Sequence, residues 1–88
     1  MRLDVALNRL CLTRSRNEAK MACEAGAILV GGKPAKASQT VAPGELVSIR
    51  FSNHTLDVRL LELPAKSTSR KVAREMYEVL RDEKNSLL

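Results

Sequence analysis

Residues 1–38 read MRLDVALNRLCLTRSRNEAKMACEAGAILVGGKPAKAS, and the spacing within this stretch decides the fold. Leu3, Leu7 and Leu10 recur at i, i+4 and i+7 with Ala6 beside them, which lines one face of a first helix. Ser15 stands three residues before Glu18, so its hydroxyl can accept the Glu18 backbone N–H while the Glu18 carboxylate reaches back, a capping box. A second helix therefore starts near Arg16 and runs to about Ala25, with the small residues Ala19, Ala22 and Cys23 on one face. Gly26 suits the left-handed position that ends it.

Beyond Gly26 the period changes. Four apolar residues lead into Gly31-Gly32, a dipeptide that accepts the positive φ angles of a tight hairpin turn. Pro43-Gly44 marks a further turn before a strand over Leu46–Phe51, in which Val47, Ile49 and Phe51 form the core face against Ser48 and Arg50. The turn SNHT follows, and then Leu56, Val58 and Leu60 alternate with Asp57, Arg59 and Leu61 until Pro64. Val72, Met76, Val79 and Leu80 recur at helical spacing, which predicts a C-terminal helix over about Ser69–Lys84. Its charges are oddly placed. Arg70 and Lys71 open it and Asp82 and Glu83 close it, the reverse of what a helix dipole favours.

Eighty-eight residues fit one domain. A chain of this size buries only about 60 to 65% of its unfolded surface, so no spacious catalytic cleft is expected. The apolar fraction of 44% and charged fraction of 28% are those of a globular protein, which excludes a disordered or fibrous chain. No stretch approaches the roughly 20 apolar residues needed to span a bilayer. Asp4 and Arg9 also interrupt any signal-peptide core, so a soluble, cytoplasmic monomer without membrane partners is expected. Cys11 and Cys23 fall in amphipathic patterns and are expected to be reduced and buried.

The formal charge is +5, and it is unevenly spread. Residues 1–36 hold seven Lys/Arg against three acids, residues 37–63 two against three, and residues 64–88 six against four. Such a footprint favours an anionic partner. Nothing in the chain points to catalysis. His54 is the single histidine and lies in a predicted turn without a nucleophile or base at a useful spacing, and two cysteines alone make no zinc site. VGGKPAK lacks the phosphate-loop pattern, and its glycines precede a strand rather than a helix. No metal or cofactor is called for.

Phe51 and Tyr77 are the only aromatic residues beside His54, and Phe51 fits the core pattern, so a partner read by base stacking is not expected. A basic chain of this kind suits folded RNA, gripped by its phosphates. Arg14, Arg16 and Lys20 cluster around the start of the second helix, whose free N–H groups would add a positive dipole end. The competing reading is a protein-interaction module whose basic face merely keeps it soluble.

Four spaced motifs resemble the alpha-L, or S-four, RNA-binding family over about residues 1–51. They are RLD-x-x-L from Arg2, R-S-R-x-x-A with Gly26 closing the second helix, V-x-G-x-x-x-K-A-S through Ser38, and V-x-x-G-E-x-V from Val41. The resemblance implies an α+β alpha-L fold. Two short helices pack on a small antiparallel sheet over residues 1–63, an RNA-binding domain, with a linker and C-terminal helix over 64–88. It also implies that Arg2, Arg16, Lys20, Lys36 and Ser38 contact RNA, with Asp4 orienting an arginine; Arg9, Arg14 and Lys33, basic residues of the same segment, are RNA-binding candidates beside them. Arg70, Lys71 and Arg74 are candidates for further contacts. The family pattern commonly has a basic residue where Val5 stands and can have one at Ser15, which implies fewer phosphate contacts here.

In length and ends the chain is most similar to stand-alone members that act in ribosome quality control. That similarity implies a non-enzymatic protein bound to large-subunit rRNA and to peptidyl-tRNA, beside a tRNA-recruiting partner protein that appends an alanine tail to the stalled chain. The heat-shock members, which recycle large subunits carrying trapped nascent chains, are the next most similar.

Overall fold

A computed structural model describes residues 1–84. Two helices, α1 (Leu3–Arg9) and α2 (Arg16–Glu24), precede the strands β1 (Ile28–Val30), β2 (Lys33–Pro34), β3 (Leu46–Phe51) and β4 (His54–Leu60). A single helical turn α3 (Arg70–Ala73) and a last strand β5 (Tyr77–Lys84) follow. The strands form one antiparallel sheet in the order β2-β1-β3-β4-β5.

The core lies between the helix pair and one face of the sheet. Leu3, Ala6, Leu7 and Leu10 of the first helical segment meet Ala19 and Cys23 of α2 and Ile28, Val47, Ile49, Val58 and Leu60 of the strands, all buried. The leucine spacing 3, 7, 10 is thus the buried stripe that the helical period requires. Small side chains on α2 let that helix sit close.

The helix ends follow backbone chemistry. Ser15 Oγ accepts the Glu18 N–H at 3.0 Å, while the Glu18 carboxylate accepts the Arg14 N–H at 3.3 Å rather than that of Ser15. Both helices close in the same way. At α2, Gly26 at φ 75° donates to Cys23 O and Ala27 donates to Ala22 O, the paired bonds of a Schellman motif. At α1, Cys11 donates to Asn8 O and Leu12 to Leu7 O, with Cys11 at φ 61°. A side chain in that left-handed region costs roughly 1 kcal/mol. Cys11 is consequently exposed on the surface, not buried as its pattern led us to expect; only Cys23 is a core thiol.

The N-terminus is stitched to the segment after the first hairpin. Leu3 N–H donates to Gln39 O at 2.8 Å, Asp4 N–H to Ala37 O at 3.1 Å and Val41 N–H to Met1 O at 2.9 Å. These bonds satisfy the first free donors of α1. They also bring residues 36–38 beside Arg2.

Two further expectations fail. The predicted C-terminal helix is absent: after the four-residue α3 the chain turns and pairs as β5 along the whole of β4. Apolar residues at 72, 76, 79 and 80 satisfy a helical period, yet Tyr77 and Val79 also alternate about Glu78, and β4 offers an unpaired ladder that only a strand can complete. Val72, Val79 and Leu80 stay exposed rather than forming a buried stripe. The reversed charge layout is explained as well, because Asp82 and Glu83 lie in a strand, where no helix dipole acts. Phe51 is the second case. It is 40% exposed at the end of β3, next to the β3–β4 turn and on an open groove, whereas Val47 and Ile49 are buried.

Candidate nucleic-acid interface

Asp4 is the centre of the site. Its side chain is only 2% exposed, yet both carboxylate oxygens are satisfied. Arg2 donates Nε to Oδ1 at 3.1 Å and Nη2 to Oδ2 at 3.2 Å, a two-pronged fork. Arg16, reaching over from α2, donates Nε to Oδ2 at 3.2 Å, and the Val5 N–H donates to Oδ1 at 2.8 Å. Burial alone would push this carboxyl up. The hydrogen bonds from Arg2, Arg16 and Val5, with the charge of Arg16, outweigh it and hold the group below the ordinary carboxylate range.

One buried carboxylate therefore fixes two guanidinium groups that remain about half exposed, at 47% and 54% of their side-chain surface. Each arginine keeps N–H donors directed away from Asp4, and one positive charge of the trio is left over. Asn17 and Lys20 complete the recess around these groups. An adjoining recess of about 300 Å³ shares Arg2 and Lys20 and adds Lys36 and Ser38. Arg2, Arg16, Lys20, Lys36 and Ser38 thus line one continuous basic face, with Asp4 beneath it. Cys23 also borders it. Burial, then the charges of Asp4 and Glu24, push its thiol up, which disfavours the thiolate.

The remaining sequence candidates fall elsewhere. Arg9 directs Nη1 to Pro64 O at 3.5 Å, tying α1 to the segment after β4. Lys33 sits exposed at the tip of the first hairpin, away from both recesses. Arg14 lies on the other side of the α1–α2 connection, where it lines a separate groove with Arg70 and Arg74; Lys71 lines neither. The start of α2 is less electropositive than its dipole implies, because Ser15 already occupies the Glu18 N–H and the Glu18 carboxylate lies in the first turn. Asn17 was not singled out by sequence, although its place one residue after Arg16 put it within reach. Among the described residues no group of three or more His, Cys, Asp or Glu side chains could hold a metal ion, and no helix is long and apolar enough to cross a membrane.

A continuous basic face on an α+β scaffold of short helices and a five-stranded antiparallel sheet defines a class of RNA-binding module. The model of the S4 domain family matches residues 1–47, and the chain belongs to that family. More particularly, it is 37% identical to a Bacillus subtilis protein named RQC P-site tRNA stabilizing factor, over 96% of each chain. A Streptococcus pneumoniae protein of the same name is 38% identical over 91% of this chain and 90% of its own. Among solved structures, Vibrio cholerae Heat Shock Protein 15, described as trimeric, superposes with a TM-score of 0.82 over 90% of this chain and 80% of that one. At 21% identity that likeness establishes the fold.

Proposed function

We propose that this chain is a non-catalytic RNA-binding factor of bacterial ribosome quality control. It would hold tRNA and large-subunit rRNA together on subunits obstructed by a peptidyl-tRNA, so that alanine tailing of the stalled chain by a tRNA-recruiting partner can proceed. The carrying observation is the buried Asp4 carboxylate that sets the Arg2 and Arg16 forks side by side, with Lys20, Lys36 and Ser38 continuing the same face. Guanidinium groups fixed in this way lose little entropy on meeting phosphate oxygens, and their planar forks match them two bonds at a time. Relatives that share over a third of the sequence along nearly the whole chain carry a name that specifies P-site tRNA, which supports the same reading. Its place of action would be the cytoplasm, where such ribosomes are.

The test is sedimentation of the purified protein with large subunits that do or do not carry a peptidyl-tRNA. Enrichment on the obstructed subunits is expected. Equal association with both, or none with either, contradicts the reading.

A further inference from the structure

A second groove lies apart from the basic face. It has a volume of about 710 Å³ and runs between the α1–α2 connection on one bank and β3, α3 and β5 on the other. Arg14 stands on the first bank, Arg70 and Arg74 on the second, and Glu18 is the single carboxylate among the residues that line it. The Glu18 carboxylate is occupied by the Arg14 backbone N–H, and none of the three arginines forms an ion pair among the described residues.

Both benzenoid rings of the chain line this same groove. Phe51 pairs with His54 at one end of β4 and Tyr77 with Leu60 at the other, roughly 20 Å apart at the rise of a strand. The Phe51 ring rests one side on the His54 imidazole, with centroids 5.7 Å apart and planes at 24°, and is 40% exposed. An exposed ring, Phe51, at one end and a half-buried one, Tyr77, at the other, with three unpaired arginines lining the same groove, is the composition of a single-strand platform: bases stack on the rings and guanidinium groups meet the phosphates.

We propose that this groove is a second RNA site, which takes an unpaired strand on the order of four nucleotides long. Bases stack at Phe51 and Tyr77, and Arg14, Arg70 and Arg74 hold the backbone. The inference rests on the RNA-binding reading above but differs in substrate: the Asp4 face grips folded RNA by phosphates, whereas the groove demands exposed bases.

With one phenylalanine and one tyrosine in the chain, the ring resonances identify themselves in an NMR spectrum. Titration of the full chain with single-stranded hexaadenylate is expected to shift both rings upfield. An abasic hexamer of equal charge should bind at least fivefold more weakly. Arg74→Ala should weaken hexaadenylate by a similar factor, while Arg16→Ala should leave it within twofold. Unmoved ring signals, or equal binding of the abasic oligomer, overturn the groove proposal. If large-subunit association persists in that case, the RNA-binding reading stands and the groove alone is refuted; if both fail, the broader reading falls with it.

Discussion

The two arginine clusters of this molecule are built on opposite plans. Around Asp4, two guanidinium groups, one from the residue before α1 and one from the start of α2, are locked by one buried carboxylate before any ligand arrives. Around the groove, Arg14, Arg70 and Arg74 have no such partner and sit on a loop and a four-residue helix. The first arrangement surrenders one charge for fixed geometry; the second keeps all its charge and leaves its side chains free to adapt. Fixed forks suit the regular phosphate spacing of a folded helix. Adaptable ones suit a strand without regular form.

Several substitutions would sharpen or break this contrast. The largest effect is expected from Leu7→Ala, since Leu7 is 1% exposed in the core that α1 shares with α2 and the sheet. It should cost about 2–5 kcal/mol of stability by denaturant unfolding and reduce both binding activities only through loss of folded protein. Arg16→Ala should weaken large-subunit binding by a factor of about 10–100, the value of a charge-assisted contact, while stability changes by less than about 1 kcal/mol because Arg2 still satisfies Asp4. Undiminished binding would break the comparison.

Asp4→Asn separates geometry from charge. It makes the face more positive, yet RNA binding should weaken because the two forks lose their anchor, and stability should fall by about 1–3 kcal/mol. Tighter binding would show that Asp4 merely neutralises. The same carboxylate gives stability a pH dependence of known sign. Its folded pKa lies below the unfolded one, so its contribution is complete above the ordinary carboxylate range and is lost as pH falls below about 5. Acid unfolding of Asp4→Asn should be correspondingly flatter. The smallest effect is at Cys11, where Cys11→Gly should raise stability by about 1 kcal/mol by relieving the left-handed backbone, as Gly26 already does at the end of α2.

Much of this was legible in the chain because the deciding interactions are local. Leucine spacing, the Ser15–Glu18 pair, Gly26 and Gly31-Gly32 each act within a few residues, and α1, α2, the first hairpin and β3 lie where those signals put them. The tail departs from its sequence pattern because the helical period is also local, whereas β5 is decided by hydrogen bonds to β4, whose partners Leu56↔Asp82 lie 26 residues apart in the chain. The site shows the same division. Motif spacing placed Arg2, Asp4, Arg16, Lys20, Lys36 and Ser38 among the candidates, but their meeting depends on Leu3 and Asp4 bonding to residues 37–39. Nothing local distinguishes Arg9, spent on Pro64 O, from Arg14, which faces the groove.

The central claim, that Arg2, Arg16, Lys20 and Lys36 act as one phosphate-gripping face, is tested most directly by a salt series. Equilibrium binding to large ribosomal subunits carrying peptidyl-tRNA should fall linearly in a log–log plot against salt, and Arg16→Ala should reduce that slope by about 0.7–0.9, one phosphate contact. A slope that is near zero in the parent protein, or identical in the variant, would contradict it.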